Sequence, residues 1–117
     1  MFKQLNAILA SETSRSKFRE HLRHSHAEEI VDLWEEITKF IDCESTCESA
    51  ERIYQTFIDA EAPKRVNIDP EQGLQLKNFL VLNNPKKENI DSCLKSILGQ
   101  LEVLMAQNYL LSFQKNK

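Results

Sequence analysis

The sequence predicts an all-α protein, a single domain formed by residues 1–117 as a compact bundle of about eight or nine helices. Three observations predict it. Apolar residues make up 41% of the chain and recur at three- and four-residue spacing rather than in alternation. Chain breakers are scarce, with two glycines and three prolines. Runs of β-branched residues, the mark of buried strands, are few. A chain of 117 residues can bury one core without disulfide staples.

Phe2, Leu5, Ile8 and Leu9 share one face of a short opening helix. Ser11 to Ser16 offers hydroxyl caps for a second helix, with Phe18 and Leu22 inward. Ala27 to Ile41 is the most regular stretch. Ile30, Val31, Trp34, Ile37 and Ile41 form its stripe, and Leu33 and Phe40 widen it, as suits a central helix. Ser45-Thr46-Cys47-Glu48 reads as the capping box of the next helix, which turns Ala50, Ile53, Tyr54, Phe57 and Ile58 inward. Pro63 opposes helix at Ala62 by crowding that residue out of the α region. Asp69-Pro70-Glu71-Gln72 reads as a fresh start, with Asp69 as cap and Pro70 at the first helical position. This helix carries Leu74, Phe79 and Leu80 and breaks near Asn83-Asn84-Pro85, and Lys86 to Asn89 reads as a polar connection. Ile90, Leu94, Ile97, Leu98, Leu101, Leu104 and Met105 then keep helical spacing. A separate short helix follows Asn108, with Leu110 and Phe113 inward. Trp34, Ile53, Phe57, Leu101 and Leu104 are the expected core.

Composition excludes several classes of function. The formal charge of −3 is unevenly spread, with acids concentrated between Glu28 and Glu61, and no continuous basic stripe marks a nucleic-acid binder. The acidic block falls on helical segments, so a solvated face accounts for it. No apolar run approaches the roughly 20 residues that cross a bilayer, and Met1-Phe2-Lys3 opens no signal peptide. Three cysteines, Cys43, Cys47 and Cys93, in a chain that needs no disulfide fit a reducing, cytoplasmic setting. His21, His24 and His26 do not repeat at a helical ligand spacing, and Cys43 and Cys47 straddle an expected cap. Surface histidines and inert thiols therefore outweigh a metal site, and no metal or cofactor is expected. Neither a Gly-rich phosphate loop nor a nucleophile elbow is present, so the domain is not read as an enzyme.

The stretch Ala50 to Asp69 holds the candidate binding residue. Asn67 falls on the turn between two helices, where its amide is free to face outward; as a turn former alone it would be equally at home.

With its IYxxFI helix followed by APKRVNID, this stretch resembles the mid-domain turn of the regulator of G-protein signalling (RGS) family. The segment from Phe18 and Leu22 through Leu33-Trp34 resembles the family pattern F-x-x-F-L … E-N-x-x-F-W. Leu104-Met105 … Phe113 is similar to its closing L-M-x-x-D-S-Y-x-x-F-L. The loop from Asp42 to Cys47 is short for the family and the connection from Asn83 to Asn89 long, changes that leave a fold intact. The resemblance implies an RGS-like helical domain, possible as one part of a larger multidomain protein. Its implied partner is a GTP-loaded heterotrimeric G-protein α subunit. It would act as a monomer without membrane insertion, drawn to the inner face of the plasma membrane by that partner.

By the same resemblance the partner surface comprises His26, Ala27, Glu29, Ile30, Arg65, Asn67, Asp69, Leu104, Asn108, Tyr109 and Ser112. Asn67 would orient the water-positioning glutamine of the α subunit. Such a domain supplies no arginine finger; it holds mobile switch segments in their transition-state arrangement. Three departures fall on this side. Ile30 replaces the family asparagine, Arg65 a common acid, and Asn108-Tyr109 … Ser112 the closing Asp-Ser … Arg, which by the resemblance removes both ends of a charge pair that braces the Asn67 turn. His21 also stands where the family prefers phenylalanine, a polar ring near the core. The expectation is therefore GTPase activation of reduced potency. The alternative is an RGS-like scaffold without that activity, as in a Rho exchange factor or sorting protein.

Overall fold

Apolar stripes separated by short polar turns form six helical rods among the described residues. The computed structural model describes residues 2–42, 47–59, 61–66, 68–81 and 86–115, and among these there is no strand. The rods are α1 (Phe2–Ala10), α2 (Glu12–Arg23), α3 (Glu29–Asp42), α4 (47–58), α5 (Pro70–Leu80) and α6 (87–115). Two of them change winding midway. In α4 the segment Cys47–Ile53 passes into a π-helical turn, Tyr54–Ile58. In α6 the segment Lys87–Met105 passes through a π-helical turn, Ala106–Leu110, into Leu111–Lys115.

The expected eight or nine helices are thus six among the described residues. No separate helix follows Asn108, because Met105, Ala106 and Leu111 all keep right-handed helical dihedrals through the joint. The inward residues Leu101, Met105, Leu110 and Phe113 include a five-residue step that a straight α-helix would swing off the core face. The wider π winding keeps it there. Lys86 to Asn89 is likewise not a connection: α6 begins at Lys87, its polar first turn facing outward. The capping box at Ser45-Thr46 and the break at Asn83-Asn84-Pro85 lie outside the described residues.

The axis of the bundle is α6, against which α1, α3 and α5 pack; α4 packs on α3 and α5. Residues 87–115 at about 1.5 Å per residue span roughly 43 Å, which accounts for the long dimension of a 49 × 27 × 20 Å body. Leu5, Leu9, Phe18, Leu22, Leu33, Ile37, Leu76, Leu94, Ile97 and Leu101 are sealed from solvent, and no buried side chain among the described residues is charged. Ile53, Phe57 and Leu101 are core as expected, but Trp34 and Leu104 are only half-buried against it. Trp34 lies at an edge where its indole N–H points toward Glu102 Oε1 at 3.5 Å and the Arg15 guanidinium sits 5.6 Å from the ring. On α5 the inward residue is Leu76 rather than Leu74, which is 57% exposed. Starting the helix at Pro70 puts Gly73 and Leu76 on the inner face, one turn apart, and leaves Leu74 outside.

Of the hydroxyl caps offered by Ser11 to Ser16, Ser11 takes the N-cap position of α2 with extended dihedrals but makes no side-chain cap bond. Ser14 Oγ instead donates to the Ile8 carbonyl at 2.6 Å, and Arg15 to the Leu9 carbonyl at 2.8 Å, so α2 side chains satisfy the last carbonyls of α1.

Candidate partner-binding surface

Three separate stretches of chain build this surface, and each is fixed by local chemistry. The first is the end of α2. Ala27 N donates to Leu22 O at 2.9 Å and His26 N to Arg23 O at 3.0 Å, the paired bonds of a left-handed helix stop. His26 accordingly has φ 55°, a conformation that costs a non-glycine residue about 1–2 kcal/mol but that histidine adopts more readily than most. The stop turns the chain so that Ala27 is buried while His26 projects into solvent.

The second stretch, 61–69, folds back on the end of α4. Lys64 N donates to Thr56 O at 3.0 Å and Val66 N to Phe57 O at 2.8 Å, and the Val66 side chain is buried. Asp69 caps α5 as expected, its Oδ1 accepting from Glu71 N at 3.0 Å, and its own N–H donates to Gln100 Oε1 on α6 at 3.0 Å. The residues either side of Asn67 are therefore pinned to α4 and α6. Asn67 itself lies outside the described residues.

The third stretch is the half-turn around Tyr109 in α6. Together the three enclose a shallow depression of about 270 Å³ lined by Ser25, His26, Ala27, Glu29, Ile30, Arg65, Val66, Leu104 and Tyr109. Seven residues nominated from sequence thus meet on one face: His26, Ala27, Glu29, Ile30, Arg65, Leu104 and Tyr109. Asp69, Asn108 and Ser112 are exposed but do not line it. Sequence reading missed Ser25 and Val66. An apolar valine within a polar turn was the available signal for the second; nothing marked the first.

Ile30 is 7% exposed and belongs to the core cluster, so it forms the floor of the depression more than a projecting contact. Behind that floor Asp32 ties the first two stretches together. It accepts from Arg19 Nε at 2.7 Å and Nη2 at 3.4 Å, with Lys64 Nζ 3.7 Å away and Glu28 3.8 Å from Arg19. The hydrogen bond to Asp32 raises the Arg19 pKa above its ordinary value in spite of partial desolvation. The Asp32–Lys64 pair joins residue 64 of the second stretch to α3. Lining residues offer hydrogen-bond donors, a carboxylate and a tyrosine around an apolar floor. No group of three or more metal-ligating side chains gathers among the described residues. Such a surface offers polar contacts around an apolar floor to a protein segment.

No helix is long and apolar enough to cross a membrane among the described residues. Comparison with known proteins gives a match to the family model described as the Regulator of G protein signaling domain over residues 4–117. Human regulator of G-protein signaling 21 is 34% identical over 68 residues, 56% of this chain and 45% of that protein. Rat regulator of G-protein signaling 5 is 30% identical over 102 residues, 84% of this chain and 55% of that protein. Regulator of G-protein signaling 1 of Xenopus tropicalis is 38% identical over 68 residues, 56% of this chain and 34% of that protein. The chain thus spans about half the length, or less, of these curated relatives. With the all-helical fold and a family match covering nearly every residue, the chain belongs to the regulator of G protein signaling domain family.

Proposed function

We propose that this domain binds a GTP-loaded heterotrimeric G-protein α subunit and accelerates its GTP hydrolysis, with lower potency than family members that carry asparagine at the Ile30 position. The observation that carries the reading is the meeting of His26, Glu29, Ile30, Arg65, Leu104 and Tyr109, from three distant parts of the chain, around one depression. The domain contributes no reacting group. By family likeness, Asn67 orients the glutamine of the α subunit, and the surrounding surface holds the switch segments still. Ordering those segments beforehand removes part of the entropy that the hydrolytic step would otherwise lose. Only contacts stronger in the transition state than in the ground state raise the rate. It acts as a monomer in the cytoplasm, reaching the membrane face through its partner.

A second reading, a scaffold that binds without activating, is favoured by Ile30, which is turned into the core, and by Ser112, which is too short for an arginine's role and is bonded to His21. The two readings separate in single-turnover GTP hydrolysis with a panel of α subunits, alongside binding to the same subunits loaded with GDP and aluminium fluoride. Activation that disappears in Asn67→Ala, with preference for the aluminium fluoride state, supports the first. Binding without activation or state preference hands the case to the scaffold.

A further inference from the structure

Two positions where this chain departs from its family, His21 and Ser112, are 91 residues apart in sequence and touch in space. His21 Nε2 lies 2.9 Å from Ser112 Oγ, and that hydroxyl donates to the Tyr109 carbonyl at 3.0 Å. With its single proton committed to the carbonyl, the serine oxygen can only accept from the ring, so His21 is the donor through Nε2–H. The result is a relay from the last turn of α2, through one hydroxyl, to the backbone of the π-helical turn. The His21 ring also tilts over Phe113 at 5.5 Å, and Phe113 meets Phe18 edge-on at 5.1 Å. The ring is thus oriented by packing on one side and by the hydrogen bond on the other.

We propose that His21 is a positioning residue for the partner surface: through Ser112 it fixes the Tyr109 wall against the Ser25–Ala27 wall. The inference rests on the partner-binding reading above and deepens it. The two walls belong to α6 and to the end of α2, and His21 lies within the turn that leads into Ser25 and His26. Tyr109 sits in a π-helical turn, where hydrogen-bond geometry is wider than in α-helix and the backbone gains most from a side-chain tie. Neither His21 nor Ser112 lines the depression, so neither needs to touch the partner to affect it.

The test uses the whole chain in four variants. His21→Phe keeps an aromatic ring on Phe113 and removes the donor; Ser112→Ala removes the relay; the double variant removes both; His21→Gln places an amide N–H near the position of Nε2. Affinity is measured for α subunits loaded with GDP and aluminium fluoride, together with amide hydrogen exchange across residues 106–113. Expected are a loss of about 3- to 10-fold in affinity in each single variant, the size of one hydrogen bond, no further loss in the double variant, and recovery in His21→Gln. Exchange at 106–113 rises in the same three variants and returns to the wild-type pattern in His21→Gln. Additive losses, or wild-type affinity and exchange in His21→Phe, overturn the proposal. If the wild type binds no α subunit, the partner-binding reading fails and takes the positioning role with it, whatever the exchange pattern shows of the tie itself.

Discussion

Replacing Ile30 by asparagine sets stability against recognition, and the structure supplies the size of the first term. Ile30 is 7% exposed and packed in the core cluster, so its side chain is almost wholly withdrawn from water. Truncation of such a residue costs about 2–5 kcal/mol. Asparagine refills part of the volume but brings an amide that costs about 1–3 kcal/mol if it finds no partner. The floor of the depression gives one edge of that amide access to Arg65, His26 and water, which relieves some of the penalty. A net loss of about 3 kcal/mol is expected, read in urea as a midpoint lower by roughly 1–3 M at the slopes usual for small domains. Ile30→Val, which keeps the site apolar, should lose only about 1 kcal/mol. In single-turnover hydrolysis at low temperature, with both proteins folded, Ile30→Asn should activate more strongly than wild type, by restoring a polar contact worth about 1 kcal/mol. A midpoint for Ile30→Asn no lower than that of Ile30→Val would refute the burial argument. Unchanged hydrolysis by a folded variant would refute the argument for a missing polar contact.

Three further outcomes follow from particular contacts. Asp69→Ala should lower stability by about 1 kcal/mol, since Oδ1 bonds Glu71 N; an unchanged urea midpoint would show that the cap is idle. Trp34→Ala should cost about 2 kcal/mol, below the 3–5 of a sealed aromatic, and less than Leu101→Ala in the same urea titration; the reverse order would show that Trp34 is core. Gly99 is exposed within α6 with nothing within 4 Å of where a Cβ would stand, so Gly99→Ala should raise stability by about 0.5–1 kcal/mol. At Gly73 a Cβ would lie 3.2 Å from Ile58 Cγ2, so Gly73→Ala should show no such gain, and equal gains at both sites in thermal melts would contradict the packing.

Much of the fold was legible because the wide stripe of α3 and the Asp69-Pro70 start depend only on local spacing and capping. The joint at Met105–Leu110 was not, because a five-residue inward step breaks the three-and-four rule and reads as a helix end; only the packed partner side shows that the winding changes instead. Lys86 to Asn89 misled for a different reason: an exposed first turn carries no apolar signal, so its polarity looks like a loop. Leu74 and Leu76 are both apolar, and which one turns inward is decided by the phase of the helix start, a matter of one residue. At the surface, seven residues nominated from the family motifs line one depression. The stripe of Ala27 to Ile41 already set Ile30 inward, but nothing hinted that His21 and Ser112 would meet, because contacts between distant segments leave no mark on either one alone.

The π-helical turn in α6 also bears on which changes of chain length the domain can absorb. Its geometry is that of an α-helix that has taken in one extra residue without rotating what comes after. Removing exposed Gln107 shortens the inward step from Met105 from five residues to the four of ordinary winding, leaving Leu110 and Phe113 on the same azimuth. The same deletion at exposed Ser96, within the regular part of the helix, turns everything beyond it by about 100° and carries Leu101 and Met105 off the core. Thermal melts of the two deletions should therefore differ sharply, with the first close to wild type and the second unfolded. The helix holds a spare residue at this joint, and the phase of the last turns is indifferent to its loss.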